Sequence, residues 1–234
     1  EKPLGRTLDE ARAFVRACTV RDIRVQVNYW RRADDDFRVL AGGGLAEAVG
    51  RSQAVFGVYG NGLRNNGSHM IDFCRMLFGE VIAVEAESSA VRHRSAPIAG
   101  DIDVPFHLVF ESGLCAMFQP VDFADYRENS LDIWGSRGRL QIVQEGLRLL
   151  RAARVSNRAM QGEWEIPSDA PEVHSTTVGY ALRRFYDHTA SMLDTGEAAI
   201  SPADSALHTE EVIEAVVDSA TNGGARRYLA TGAH

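Results

Sequence analysis

Residues 102–121 read IDVPFHLVFESGLCAMFQPV. Ile102 to Phe110 and Leu114 to Val121 are two apolar runs, and Ser112-Gly113 lies between them. A link this short joins neighbouring antiparallel strands, because a parallel pair needs a crossover of about a dozen residues or more. The pattern extends on both sides: Val81 to Val91 comes before, and Ser130 to Trp134, Leu140 to Val143 and Leu147 to Ala153 follow, divided at Gly135 to Gly138 and at Glu145-Gly146. The spacing predicts a meander of antiparallel strands from Glu80 to about Ile166.

Helical patterns flank the meander. Thr7 and Glu10 form a capping box ahead of Ala11, Phe14, Val15 and Cys18 at helical spacing, which predicts a helix over residues 7–20. Ile23, Val25, Val27 and Tyr29 alternate with polar neighbours as in a half-buried strand closed by Arg31-Arg32. A short helix over 34–41 is expected to stop at Gly42 to Gly44, and a strand to run from Ser52 to Tyr59. Met70, Phe73, Cys74 and Leu77 then make an apolar stripe, with Asn66 or Ser68 as the cap and Gly79 as the stop, so that His69 falls in a first helical turn. Two further helices are expected, one from Val178 to Gly196 and one opened by Ser201-Pro202-Ala-Asp204 and closed by Gly223. The sum is an α+β architecture: an open-faced, mostly antiparallel sheet with helices on one face.

Composition excludes several functions. The 234 residues carry 25 basic and 32 acidic side chains, a net charge of −7, and no clustered basic stripe, which argues against nucleic acid as a partner. No run approaches the roughly 20 apolar residues of a bilayer span, and the N-terminus lacks the order of a secretion signal; the chain reads as cytoplasmic, with no membrane partner. Cys18, Cys74 and Cys115 are odd in number and far apart, as expected of reduced core thiols. The histidines lack metal-ligand spacing, which leaves zinc chemistry unsupported. Gly42 to Gly44 lack the strand-turn-helix context and spacing of a phosphate-cradling loop, and no Walker sequence occurs.

Two residues stand out for chemistry. Of the 25 basic residues, 24 are Arg, and Lys2 is the single lysine; an ammonium differs from a guanidinium in being compact and able to exchange a proton. His69 has Asp72 three residues on, on the same helical face, and a carboxylate on one imidazole nitrogen would fix the tautomer and leave the other nitrogen free to take a proton. Asn65 and Asn66 add amides beside the same turn. A histidine base, an orienting carboxylate and a positioning amide make an acid/base set.

Glu1-Lys2-Pro3 before a capped helix, the strand ending Val27-Asn28-Tyr29-Trp30-Arg31, and Gly67-Ser68-His69-Met70-Ile71-Asp72 running into Leu77-Phe78-Gly79-Glu80-Val81 resemble the Gfo/Idh/MocA family of NAD(P)-dependent oxidoreductases. Leu193-Asp194-Thr195-Gly196 and the helix from Pro202 to Gly223 resemble it too. The resemblance implies that residues 1–32 are the last elements of a nucleotide-binding Rossmann domain. Residues 33–234 would be the substrate-binding α+β domain, its C-terminal helices packing back on the sheet, and the rest of the nucleotide domain would lie before Glu1.

By the same resemblance, Lys2 would stand beside the nicotinamide of NAD or NADP and the substrate hydroxyl, with His69 as acid/base. Many members carry an aspartate where this chain has Asn65, which could position substrate but not share a proton. Arg31, Tyr59 and Arg64 are candidate substrate contacts. The implied reaction interconverts a secondary alcohol and a ketone on a sugar, nucleotide sugar or cyclitol, in a homo-oligomer, dimer or tetramer, built through the sheet. The alternative is a relative without turnover that binds a sugar-like ligand or a protein partner, a reading that Asn65 and the missing nucleotide domain favour. The chain alone, with no glycine-rich turn for a pyrophosphate, is expected to be inactive.

Overall fold

The computed structural model describes residues 1–94, 97–167 and 169–230. Helix α1 (Leu8–Val20) starts at Thr7, whose hydroxyl accepts from the Glu10 amide at 3.2 Å, while the Glu10 carboxylate reaches back to the Arg6 amide. Residues 23–29 run extended but form no strand among the described residues; a single bridge joins Gln26 to Pro202. The predicted strand has no sheet neighbour here, so its polar groups are met by side-chain and loop bonds. The Gln26 side chain donates to the Phe185 carbonyl and accepts from the Ile200 amide, and the Val27 amide donates to the Ser201 carbonyl.

After a 3-10 turn at Trp30–Ala33, helices α2 (Asp35–Val39) and α3 (Leu45–Val49) flank the three glycines. Gly42 to Gly44 do not end the helical path. They form one wide turn in which Gly43 takes φ 119°, and the helix resumes.

Nine strands make one sheet: β1 (Ser52–Gly60), β2 (Val81–Ala86), β3 (Phe106–Phe110), β4 (Cys115–Val121), β5 (Ser130–Gly135), β6 (Gly138–Val143), β7 (Arg148–Ala153), β8 (Glu172–Ser175) and β9 (Arg227–Tyr228), in the order β8-β7-β6-β5-β1-β4-β3-β2-β9. Every pairing is antiparallel except β1 with β4. The meander is therefore interrupted: β4 and β5 are not neighbours, because β1 lies between them and the link at 122–129 crosses its end. The expected strand at 81–91 ends at Ala86, and that at 102–110 is broken at Val104-Pro105, since proline has no N–H for a ladder. The edge strands β8 and β9 are short and mostly exposed, with no apolar alternation to reveal them.

Helices α4 (Ser68–Phe78), α5 (Ala181–Thr195) and α6 (Ala203–Thr221) complete the fold. Tyr59, Ile71, Phe106, Phe118, Ile133 and Val216, from the inner face of the sheet and from α4 and α6, share the main core. Val27, Tyr29 and Ala206 form a smaller cluster where residues 23–29 meet α6. Cys18 and Cys74 are buried, but Cys115 is exposed on the outer face of the sheet, so only two of the three thiols are core residues. No helix among the described residues is long and apolar enough to cross a membrane.

The start of α4 is not capped by Asn66 or Ser68. A wide turn at Leu63–Gly67 runs straight into the helix, and His69 stands in the first turn of α4 as expected. The buried Asp101 carboxylate does the capping from a distant loop: it accepts from the amides of Arg64 (2.9 Å), Asn65 (3.1 Å) and Ile102 (2.8 Å). Asp103 accepts from Gly62 at 2.9 Å. Gly62, at φ 99°, is required there, because a Cβ would lie 2.0 Å from an Asp101 oxygen. Asp101→Ala would leave three amides without an acceptor, and a loss of about 3 kcal/mol is expected; urea unfolding should show a lower midpoint at unchanged slope.

Candidate functional site

Lys2 is drawn onto the start of α4. Its ammonium donates to the carbonyls of Arg64 (3.3 Å) and Asn65, two neutral acceptors. Burial lowers the Lys2 pKa to about 8; the Asp101 and Glu1 charges oppose that shift and Arg31 reinforces it. An ammonium has three protons to donate, so two carbonyl contacts leave one proton for another oxygen.

His69 projects from the same helix. Its ring meets Tyr29 edge to face, centroids 5.6 Å apart, and tilts against Trp30 at 6.3 Å. Burial holds the His69 pKa well below the usual imidazole range, and the charges of Arg31, Lys2 and Arg127 push it the same way. The imidazole is therefore neutral at neutral pH, and among the described residues it has no hydrogen-bond partner. Lys2 and His69, far apart in sequence, thus lie within electrostatic range of each other.

Asp72 does not orient His69. Its carboxylate is taken by Arg32, through contacts of 3.1, 2.9 and 2.9 Å, with Thr209 beside it at 3.4 Å. Burial pushes the Asp72 carboxyl up, against the pull of Arg32. The helical spacing does put both residues on α4, but an arginine from the preceding turn is the stronger partner, and the pair ties residues 30–33 to α4. Tyr59 is also corrected. It is fully buried, its hydroxyl donating to the Val104 carbonyl at 2.7 Å and accepting from the Val104 amide at 2.9 Å, so it serves the core and not a substrate. Arg64 holds Glu214 with two guanidinium nitrogens and is already committed. Asn65 contributes its backbone carbonyl to Lys2, while its side-chain amide donates to the Asn61 carbonyl at 3.1 Å.

Arg31 is placed at the site together with residues that the sequence did not suggest. Its guanidinium stacks on Trp30, 4.5 Å from the ring centroid, and lies 3.5 Å from Glu145. Burial lowers its pKa to about 10, with Glu145 opposing. Glu145 also receives Arg127 at 3.1 Å and the Asn129 amide at 3.2 and 3.1 Å. Gln144 and Glu145 both take positive φ, 55° and 59°, and the Glu128 carboxylate accepts both of their amides. Only Glu145-Gly146 signalled a turn in the sequence. Nothing local marked Glu145 as the hub of a polar cluster, whose partners come from a different strand link.

Lys2, Tyr29, Arg64, Ser68, Glu210 and Glu214 also line a cavity of about 600 Å³ between the first ten residues and α6; His69 is not in its wall. Tyr29 lines the cavity and packs on the His69 ring, and so joins the two. No group of three or more His, Cys, Asp or Glu side chains among the described residues is arranged to hold a metal ion.

The fold is shared with solved structures. An oxidoreductase from Agrobacterium radiobacter in complex with NAD+, L-tartaric acid and magnesium matches at 19% identity and TM-score 0.72, over 97% of this chain and 71% of that one. Aldose-aldose oxidoreductase from Caulobacter crescentus, complexed with glycerol, matches at 21% and 0.70, over 97% and 70%. The WlbA dehydrogenase from Bordetella pertussis, in complex with NADH and UDP-GlcNAcA, matches at 16% and 0.71, over 99% and 71%. Among curated proteins no sequence matches. A family profile, the GFO/IDH/MocA C-terminal domain, matches residues 16–141, more than half of the chain. With the strand order, the His69 helix and that match in agreement, the chain belongs to the GFO/IDH/MocA family and carries its C-terminal domain.

Proposed function

We propose that this chain is the substrate-binding part of an NAD(P)-dependent oxidoreductase that interconverts a secondary alcohol and a ketone on a polyhydroxylated substrate of the sugar or cyclitol kind. The observation that supports the reading is that Lys2 lies within electrostatic range of His69: a buried ammonium with a proton to spare and, among the described residues, a neutral imidazole without a hydrogen-bond partner. The relatives' ligands, L-tartaric acid, glycerol and UDP-GlcNAcA, are all polyhydroxylated, which supports that substrate class.

The residues present fit the nicotinamide end of a coenzyme, since a donor cation and a proton acceptor lie within electrostatic range of each other. They do not supply a pyrophosphate cradle, and residues 1–32 are read as the end of the domain that would. When bound, the coenzyme supplies the hydride acceptor or donor. His69 takes the hydroxyl proton in the oxidative direction, its low pKa keeping it unprotonated before the event. Lys2 donates its free N–H to the same oxygen as negative charge grows there, an interaction strengthened by burial. Trp30 and Tyr29 fix the imidazole plane by packing, in the place of the absent carboxylate. The alternative without turnover rested on Asn65 and on the nucleotide domain missing from this chain; on the first ground, residue 65 reaches Lys2 through its backbone carbonyl, so the amide in place of a carboxylate leaves that contact in place.

A second copy is proposed to cover the outer face of the sheet, where Phe56 (46% exposed) and Met117 (41%) sit side by side in the parallel pair. Phe56→Glu with Met117→Glu should give a monomer by sedimentation with the melting temperature little changed; an unaltered oligomer would remove the assignment.

Two kinetic outcomes are expected when the chain is joined to its nucleotide domain. His69→Ala should lower kcat on the order of 100-fold with KM nearly unchanged. The rate of alcohol oxidation should fall as pH rises above about 8, because Lys2 is protonated below that value and loses its proton above it. In Lys2→Arg, which stays charged, this alkaline limb should vanish from the pH profile even though the plateau is lower; a limb that persists would assign it to another group.

A further inference from the structure

Burying a guanidinium is costly unless its N–H groups find acceptors, and this protein meets that requirement elsewhere. Arg75, 5% exposed, makes four hydrogen bonds: two to Glu80 at 2.8 Å, one to the Ser205 carbonyl at 2.6 Å and one to Thr209 at 2.6 Å. Arg32 makes three to Asp72. Arg31 is as buried as Arg75, also 5% exposed, yet among the described residues its guanidinium makes no hydrogen bond. It has only the Trp30 ring and a Glu145 oxygen at 3.5 Å.

The surroundings repeat the imbalance. Arg31 and Arg127 share one carboxylate, Glu145, which the Asn129 amide also occupies. Two guanidiniums thus share Glu145 as their ion-pair partner, Glu128 being taken by the Gln144 and Glu145 amides and Asp72 by Arg32, with the Lys2 ammonium on neutral carbonyls. Asn129 is buried, and its side-chain carbonyl oxygen has no partner. The turn presenting Glu145 holds two consecutive non-glycine residues at positive φ, a strained backbone of the sort found at ligand sites. Trp30 touches both the Arg31 guanidinium and the His69 ring, so the surplus charge lies next to the acid/base residue.

We propose that Arg31 and Arg127 receive a carboxylate carried by the substrate, with Glu145 holding the two guanidiniums in place between turnovers, so that the substrate is a sugar acid or a related hydroxy acid. Planar guanidiniums match a carboxylate through paired N–H donors, and two of them gathered on one carboxylate, Glu145, favour that group over a hydroxyl. Arg31 and Arg127 are then the residues that set specificity, in a site whose catalytic assignment rests on the reading of Lys2 and His69 above.

The test is calorimetric titration of the 234-residue chain with D-glucuronate, D-galacturonate and D-gluconate, each against its neutral counterpart, D-glucose, D-galactose and sorbitol. At least one acid should bind on the order of tenfold or more tighter than its counterpart. Arg127→Gln, at a side chain 61% exposed and so harmless to folding, should remove the preference, as should Arg31→Gln if its melting curve shows a folded protein. Arg183→Gln, on the surface of α5, should keep it. Equal affinities for each pair, no binding of any acid up to about 10 mM, or a preference that survives Arg127→Gln would overturn the proposal. Tighter binding of glucose 6-phosphate than of every acid would overturn its carboxylate form. Coenzyme-linked turnover of neutral sugars without an acid preference would sink this inference and leave the oxidoreductase reading standing. Arginine-dependent acid binding with no coenzyme-linked oxidation by the protein joined to its nucleotide domain would do the reverse.

Discussion

The contact of the Lys2 ammonium with the carbonyls of Arg64 and Asn65 fixes the first residues of the chain against the start of α4. The N-terminal end of a helix repels a cation through its dipole, so this contact needs compensation, and Asp101 supplies it. The same carboxylate that accepts the Arg64 and Asn65 amides also raises the proton affinity of Lys2, against the burial that lowers it. Cap and counter-charge are one group. The result is an ammonium kept near its titration point without a direct carboxylate partner, which leaves a donor for an incoming oxygen.

Arginine does the opposite work elsewhere. Arg32 with Asp72 and Arg75 with Glu80 tie α4 to residues 30–33 and, through Thr209 and Ser205, to α6. These pairs are saturated, with several hydrogen bonds each, and they make a rigid frame on which His69 is carried. Arg12 with Glu211 adds a similar tie between α1 and α6. Residues 1–29 and the sheet thus meet across α6, one helix serving both the small cluster around Tyr29 and the main core. The lone lysine supplies the titratable charge of the site, while Arg12, Arg32 and Arg75 give fixed charge to the frame.

Much of this was legible in the sequence where the signal is local. The Thr7 cap, the Ser112-Gly113 hairpin and the Gly196 helix stop each follow from a few adjacent residues, and each stands in the structure. The insertion of β1 between β4 and β5 was not legible, since strand order depends on long-range pairing and the link at 122–129 gave no sign of crossing another strand. The capping of α4 by Asp101 has the same character: the acceptor lies 37 positions away from Arg64 in the chain. Asp72 shows a local rule outcompeted. Helical spacing offered it to His69, but a guanidinium with paired donors binds a buried carboxylate better than a neutral imidazole does. Arg31 was marked as a substrate contact and Arg127 was not, because only the fold brings the 122–129 link to Glu145, the carboxylate beside Arg31.

Among the described residues no carboxylate bonds His69, and its charged neighbours are cations. Three cations and burial keep the imidazole a weak base while the site is open. A unit charge at roughly 8 Å in a medium of effective dielectric about 20 is worth about 2 kcal/mol, more than one pKa unit. An anion arriving on Arg31 and Arg127 would cancel part of that field and raise the basicity of His69 at the moment a hydroxyl is presented to it. A fixed carboxylate in the same place would hold the imidazole in one state whether or not substrate were bound. With arginines as the neighbours, the proton affinity of the base depends on the charge of the molecule it is to act upon, so binding and proton transfer are linked through the same few side chains.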